Sequence, residues 1–460
     1  MSPPRITLVG GGSTHWTPRL LVDFVNTPSL AGAEVALVDV DLASMQPMLE
    51  LADRLRRRSG AALQVRAARG LADGLDGAEY VVTHFSVGGF ASMRHDLEVP
   101  ARHGIRQPVG DSVGPGGISR ALRSIPVLLG IARAIEEHCP DALLLNVTNP
   151  LSALCRAVTR ETAVRTVGLC NEVVGTQFVL SLLLDCGMHE LDPQVGGVNH
   201  LPMITALDVA GADGFERLRA LLEDERAHDT GLWMEPPSQL HWRKTSDGPA
   251  WTKSDVIANI PIRAELFRRF GVLPGSSDTH VAEFFPGFVT AASDYGREWN
   301  VRQHTISGHM DDKALDDAGL AALLVADEVP RLPSGELVAP LLDGLVSGRR
   351  RDLPVNLPNA GQVDDLPAGV VVECIGTADA DGVRARDHVS IPGFLGETVR
   401  RVAAAEELTV DAALSGDRTT VLEAMLADPV AGSIPYEHTV AMTDELLTAT
   451  AEWLPQLPGS

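Results

Sequence analysis

Ile6-Thr7-Leu8-Val9 runs directly into Gly10-Gly11-Gly12-Ser13, and a helical pattern carrying Leu20–Val25 follows. A short apolar run that ends in glycines and opens a helix reads as the start of a βαβ unit. In such a turn, backbone N–H groups approach a pyrophosphate and the helix N-terminus adds positive field. Gly10, Gly12 and Ser13 are therefore the expected cofactor contacts. The three-glycine form is incomplete, because His15 stands where the third glycine would fall. A tight turn with no ligand uses the same Gly-x-Gly. The next apolar run, Glu34–Val38, ends at Asp39 and Asp41, roughly where an acid takes the ribose hydroxyls of a dinucleotide. Asp39 follows the run directly and is favoured; Asp41 reads equally well as a helix N-cap. A carboxylate here repels a 2′-phosphate, which favours NAD over NADP.

Further strands are predicted at Leu63–Arg66, Tyr80–His84, Ala142–Val147 and Thr166–Leu169, with helices over Leu42–Arg57 and Ile118–Glu137. Alternating strands and helices with buried strands imply an α/β fold, a Rossmann-type doubly wound parallel sheet with right-handed crossovers. This pattern covers residues 1–194. Residues 195–460 mix short strands such as Val370–Glu373 with helices near 262–270, 313–328, 398–405 and 420–427. They are expected to form a second α+β domain for substrate binding and oligomerisation. Long loops are expected at 229–253 and 352–368, and neither internal repeats nor low-complexity segments are visible.

Of the 460 residues 45% are apolar, enough for a full core, and the low aromatic share of 4% leaves that core to Ala, Val, Leu and Ile. The formal net charge of −23 repels nucleic acid and anionic lipid, so neither is an expected partner. No charged leader precedes a long apolar run, and no stretch has the length of a membrane span. The five scattered cysteines form no C-x-x-C pair, which suits a reduced, cytoplasmic protein.

Several polar groups are expected at the carboxyl edge of the sheet, where open α/β sheets bind ligands. Cys170-Asn171 and Asn199-His200 each follow an apolar run, and a thiolate and an imidazole can share a divalent ion. A buried core cysteine and a structurally satisfied histidine fit the spacing as well. Asn149-Pro150 offers a ligand contact or a plain strand-to-helix turn. Two small-residue loops carry carboxylates, Asp111 within Gly110–Arg120 and Asp278 within Pro274–His280. General acid/base groups are often presented this way, and so are solvated caps.

Taken together, these segments resemble glycoside hydrolase family 4, the NAD- and manganese-dependent glycosidases. The matching motifs are Gly-Gly-Gly-Ser at 10–13, Val-Gly-Pro-Gly-Gly-Ile at 113–118, Asn149-Pro150, Gly-Leu-Cys-Asn at 168–171, Gly-Val-Asn-His at 197–200 and Asn-Leu-Pro-Asn at 356–359. The resemblance implies NAD and Mn2+ as cofactors and a redox route to glycoside cleavage. Hydride leaves C3 of the sugar, the C2 proton becomes acidic, the C1 substituent is eliminated, water adds, and the hydride returns. The metal, a Lewis acid on the C2 and C3 oxygens, is then held by Cys170 and His200. Asn149, Asn171, His280 and Arg120 contact the sugar. Asp278 becomes the C2 base, since none of the three tyrosines falls in the matching segment. Asp111 becomes the leaving-group acid, because Asn171 stands where some members carry an Asp.

Val109-Gly110-Asp111, Asp278–Phe284 and Asn359–Val363 look most like the α-galacturonidase branch, whose substrate needs cations for its C6 carboxylate. Arg120, Arg123 and His280 are available for that. Neutral α-galactosides or α-glucosides and 6-phosphoglycosides are the alternatives, and for the last Arg94 stands beside Met93, at the position of a phosphate-binding Arg. An ordinary NAD-dependent sugar or hydroxyacid dehydrogenase and a non-catalytic NAD-binding scaffold share the fold. A small carbohydrate is the expected ligand, and a homodimer or homotetramer the expected assembly.

Overall fold

The computed structural model describes residues 3–223 and 253–457. Six strands, β1 (Arg5–Val9), β2 (Glu34–Val38), β3 (Gln64–Ala67), β4 (Tyr80–Thr83), β5 (Leu143–Asn146) and β6 (Arg165–Gly168), pair in parallel in the order β3-β2-β1-β4-β5-β6. β1 and β2 each expose only their first residue and bury the next four, as strands covered on both faces must. All six carboxyl ends therefore meet at one edge, which carries Gly10, Asp39, His84, Val147 and Leu169. The strand order reverses between β1 and β4, where such sheets open a ligand crevice.

The sheet continues through antiparallel strands, β7 (Leu191–Val198), β8 (Leu201–Val209), β9 (Ala212–Asp213), β10 (Leu273–Pro274), β11 (Arg351–Pro358), β12 (Val371–Asp379) and β13 (Gly382–Ala385). β11 joins the two halves, running antiparallel to β12 along its length and meeting β6 at Asn356↔Gly168. The expected boundary at residue 194 falls inside β7.

The first part of the loop expected at 352–368 is thus a strand. Pro354 and Pro358 argue against a strand when read alone, because proline donates nothing to a ladder. Here β6 touches β11 at one residue pair, so the missing donors cost the sheet little. The loop expected at 229–253 lies outside the described residues except for Lys253, which begins a helix over Lys253–Ala258.

Two cores flank the parallel sheet. On one face Ile118, Ile125 and Ile135 of the helix Gly114–His138 pack with Leu154 and Val158, and with Val410, Met425, Met442 and Leu446 from three C-terminal helices. The other face buries Leu20, Leu21 and Phe24 with Met48 and Leu51, and with Leu341 and Leu342 of the helix Val338–Ser347. Segments from the second half of the chain therefore complete both layers begun by the first. Burial of about 25 cal/mol for each Å² of apolar surface makes these two layers the main support of the edge above them.

Candidate functional site

The glycine turn is shaped by its neighbours. Gly10 (φ +99°) and Gly11 both donate their N–H to the Val38 carbonyl at 2.9 Å. A Cβ at Gly10 would lie 2.1 Å from the His84 carbonyl, and one at Gly12 would collide with Ser44. Both positions therefore require glycine. The Asp39 carboxylate accepts the Gly12 N–H at 2.9 Å and the Asp41 N–H at 3.0 Å, so strand two's acid is locked to the turn. Asp41 accepts the Ala43 N–H at 3.0 Å in a local turn, and the N-cap position of the helix Gln46–Ser59 falls at Met45, with no side-chain cap. Ser13 Oγ accepts the Trp16 N–H at 3.1 Å, capping the helix that follows. His15 stands in ordinary helical backbone and needs no glycine there. Its Nδ1 meets Asp316 Oδ2 at 2.7 Å, tying the turn to the helix Ile306–Val325. Beside the turn lies a cleft of about 770 Å³ lined by His15, Trp16, Arg19, Asn171, Glu172 and Glu336, among others.

Farther along the edge, Asp111, His200 and His280 each direct one ligating atom into a common space, all within 4.8 Å of one another. The two imidazoles lie with centroids 3.8 Å apart, and His280 Nδ1 is buried with no hydrogen-bond partner among the described residues. Burial, with His280 beside it, holds His200 down to about 4, in the neutral form that ligates metals. Burial opposes the charge of Asp111, yet His200, His280 and Arg120 outweigh it and keep the carboxyl well below its usual range. Asn149 Nδ2 donates to Asp111 Oδ2 at 2.9 Å from a cis Asn149-Pro150 peptide, and Arg120 Nε donates to the Asn149 carbonyl at 3.2 Å. One anionic oxygen donor and two imidazole nitrogens suit a borderline divalent cation.

Cys170 lies outside this trio but borders the same region. Glu172, two residues on, acts electrostatically on Cys170, and His200 and His280 act in turn on Glu172. Burial, then the charges of Glu373 and Glu172, pushes the Cys170 thiol well up, while the Asn199 amide acts the other way. Asn199 Nδ2 also donates to Glu373 Oε2 at 3.2 Å, and the Asn199 N–H to Ser152 Oγ at 3.1 Å. Glu373 lies beside the His200 N–H as well, and burial raises its carboxyl to about 8. It thus underpins a turn in which His200 has φ +64°, a left-handed conformation that costs a non-glycine residue about 1 kcal/mol or more.

The remaining expected residues are placed elsewhere. Asp278 is buried in an ion pair, its Oδ1 accepting from Arg263 Nε at 2.7 Å and its Oδ2 from the Ile262 N–H at 2.6 Å. Both oxygens are committed inside the fold. Asn171 Nδ2 reaches Glu336 Oε1 at 3.4 Å, in the cleft beside the glycine turn and away from Asp111. Arg123 is 1% exposed and forked onto the Asp96 carboxylate, closed to any sugar. Arg94 is exposed and pairs with Glu98 at 3.0 Å.

Sequence reasoning passed over Glu172, Glu373, His304 and His309. An acid in the first turn of a helix at the carboxyl edge was a usable signal for Glu172. Glu373 stands in an apolar strand, which should have marked it as a paired or functional acid. His304 and His309 carried no signal, because only tertiary folding returns them to Asp111.

Two models of family 4 glycosyl hydrolases match the chain, one for the family over residues 5–186 and one for its C-terminal domain over residues 195–431. An alpha-galacturonidase of Thermoanaerobacterium saccharolyticum is 29% identical, over 98% of this chain and 96% of its own. The crystal structure of the Bacillus subtilis protein lplD superposes with a TM-score of 0.85 at 26% identity, covering 97% of this chain and 100% of that one. A 6-phospho-beta glucosidase of Thermotoga maritima, solved with manganese, NAD+ and glucose-6-phosphate, has a TM-score of 0.76 at 20% identity, over 98% and 99% of the two chains, and shows the shared fold. The chain belongs to family 4 of the glycosyl hydrolases.

Proposed function

We propose that this glycosidase cleaves α-galacturonides with NAD+ and Mn2+. The observation that carries the reading is the convergence of Asp111, His200 and His280 at the sheet edge that also bears the glycine turn. The galacturonidase relative and the metal- and NAD-bound structure support it. Bound there, the dinucleotide supplies a reversible hydride acceptor for C3, and the cation a Lewis acid for the C2 and C3 oxygens.

The chain's own groups divide the remaining work. The turn Gly10–Ser13 takes the pyrophosphate and Asp39 the adenosine ribose. Asp111, His200 and His280 would hold the cation, with Cys170, which borders them, as a further candidate ligand. Asp111 serves better as a ligand than as a leaving-group acid, because its neighbours keep it ionised. Asn149 and Arg120 orient sugar hydroxyls. Proton transfer at C2 passes to Glu172. Burial opposes its charge, but His280 and His200 hold it ionised, and it opens onto the cleft. Asp278 keeps the loop in place through Arg263.

No described helix is long and apolar enough to cross a membrane, and the five cysteines are free thiols. A cytoplasmic location and a homodimer or homotetramer complete the proposal. Met310, Leu315 and Val325, all exposed on one helix, support an assembly surface.

A panel of nitrophenyl α-galacturonide, α-galactoside, α-glucoside and their phosphorylated forms, assayed with NAD+, Mn2+ and a reductant, tests the reading. Galacturonide turnover without net NADH is expected. Turnover confined to phosphorylated or neutral sugars overturns the substrate, and stoichiometric NADH release overturns the chemistry.

A further inference from the structure

The segment 302–309 folds back onto the loop that carries Asp111. The His304 N–H donates to the Pro108 carbonyl at 2.7 Å, two residues before the Gly110 N–H reaches Glu283 at 2.7 Å. The segments 107–112, 278–283 and 302–309 therefore adjoin one another. His304 and His309 stand with ring centroids 5.4 Å apart, inclined by 58°. The Nε2 of His309 is buried and finds no hydrogen-bond partner among the described residues, and the same holds for Nδ1 of His280. Asp111 and Arg302 act electrostatically on both His304 and His309, Arg120 acts on His309, and His280 acts on His304. Asp111 and then Asp312 are the acids that oppose these cations at His309.

This wall has no work in the chemistry at C2 and C3. Asp111, His200 and His280 take that edge of the sugar, so the ring's other end, bearing C6, points away from them. A buried nitrogen without a partner costs about 1–3 kcal/mol unless a ligand supplies one. Two imidazoles backed by two guanidinium groups match an anion, since hydrogen bonds with an ionised partner are about twice as strong as neutral ones.

We propose that His304, His309 and Arg302 form a subsite for an anionic group at C6 of the sugar, and so set the substrate class. The subsite rests on the reading of the neighbouring trio as the place where C2 and C3 are held. A uronate carboxylate and a 6-phosphate share the required charge, and the carboxylate is the expected occupant.

The test compares His304→Ala and His309→Ala with the unchanged chain on nitrophenyl α-galacturonide, α-galactoside and α-galactoside 6-phosphate, alongside calorimetric binding of D-galacturonate. The galacturonide-to-galactoside ratio of kcat/KM should fall about ten- to hundred-fold, chiefly through KM, and D-galacturonate binding should weaken in step. If thermal melts show that an alanine variant fails to fold, the ratio is read in His304→Asn and His309→Gln. Equal losses on both sugars, or an unchanged ratio, overturn the subsite even where galacturonide turnover upholds the wider reading. A chain that cleaves only the phosphorylated sugar, and loses that preference in the variants, retains the subsite and overturns the galacturonide.

Discussion

The Glu373 carboxyl, fully shielded from solvent, accepts the Asn199 side-chain amide at 3.2 Å and lies beside the His200 N–H. One buried acid thus fixes the left-handed turn from which His200 reaches Asp111 and His280. Groups placed behind a metal ligand typically change metal affinity by about 10–100-fold when removed. Glu373→Ala should weaken Mn2+ binding by about that factor. Glu373→Gln, which keeps an acceptor for Asn199, should lose much less. Mn2+ titration followed by electron paramagnetic resonance makes the comparison, and equal losses in both variants would show that acceptor geometry is not the cause.

Arg263 and Asp278 separate stability from chemistry. Removing one partner of a buried ion pair costs about 3–5 kcal/mol, because the other charge is left unpaired. Arg263→Met should therefore lower Tm markedly, and Asp278→Asn should do so less. Glu172→Gln should leave Tm near that of the unchanged chain and slow turnover by about 10²–10⁴-fold, the usual contribution of a positioned proton-transfer group. A Glu172→Gln variant with near-normal kcat would remove this residue from the reaction.

Much of the fold was legible because its signals are local. Each parallel strand is a short apolar run, and Gly10-Gly11-Gly12 joins strand to helix, so neighbouring residues contain the pattern. Asp39 was legible for the same reason. The joining strand β11 was hidden by Pro354 and Pro358, whose tolerance depends on how little β6 touches it. The site was legible in part. Asp111, Asn149, His200 and His280 lie at element ends and converge as residues of that kind should. Asp278 looked equally exposed in its small-residue loop. Nothing local tells that Arg263, fifteen residues earlier, covers it.

The buried histidines give the metal-free chain a particular acid response. Burial holds His84, His200 and His304 near 4, against 6.5 for an unperturbed imidazole. Below 6.5 the unfolded chain takes up protons that the fold refuses, so stability falls as pH drops from about 6.5 toward about 4. Below that window both states are protonated and this contribution levels off. Thermal melts of metal-free protein should show Tm declining through that interval, and His84→Gln should reduce the slope. A flat Tm between these limits would mean that the imidazoles are solvated or paired in the fold.

The decisive measurement is hydrolysis in D2O, with the released sugar read by NMR. Redox-assisted elimination removes the C2 proton and returns one from solvent, so the product should carry deuterium at C2 in proportion to turnover. Product that keeps its original hydrogen at C2 through complete hydrolysis would contradict the mechanism, and with it the roles given to the dinucleotide, the cation and Glu172.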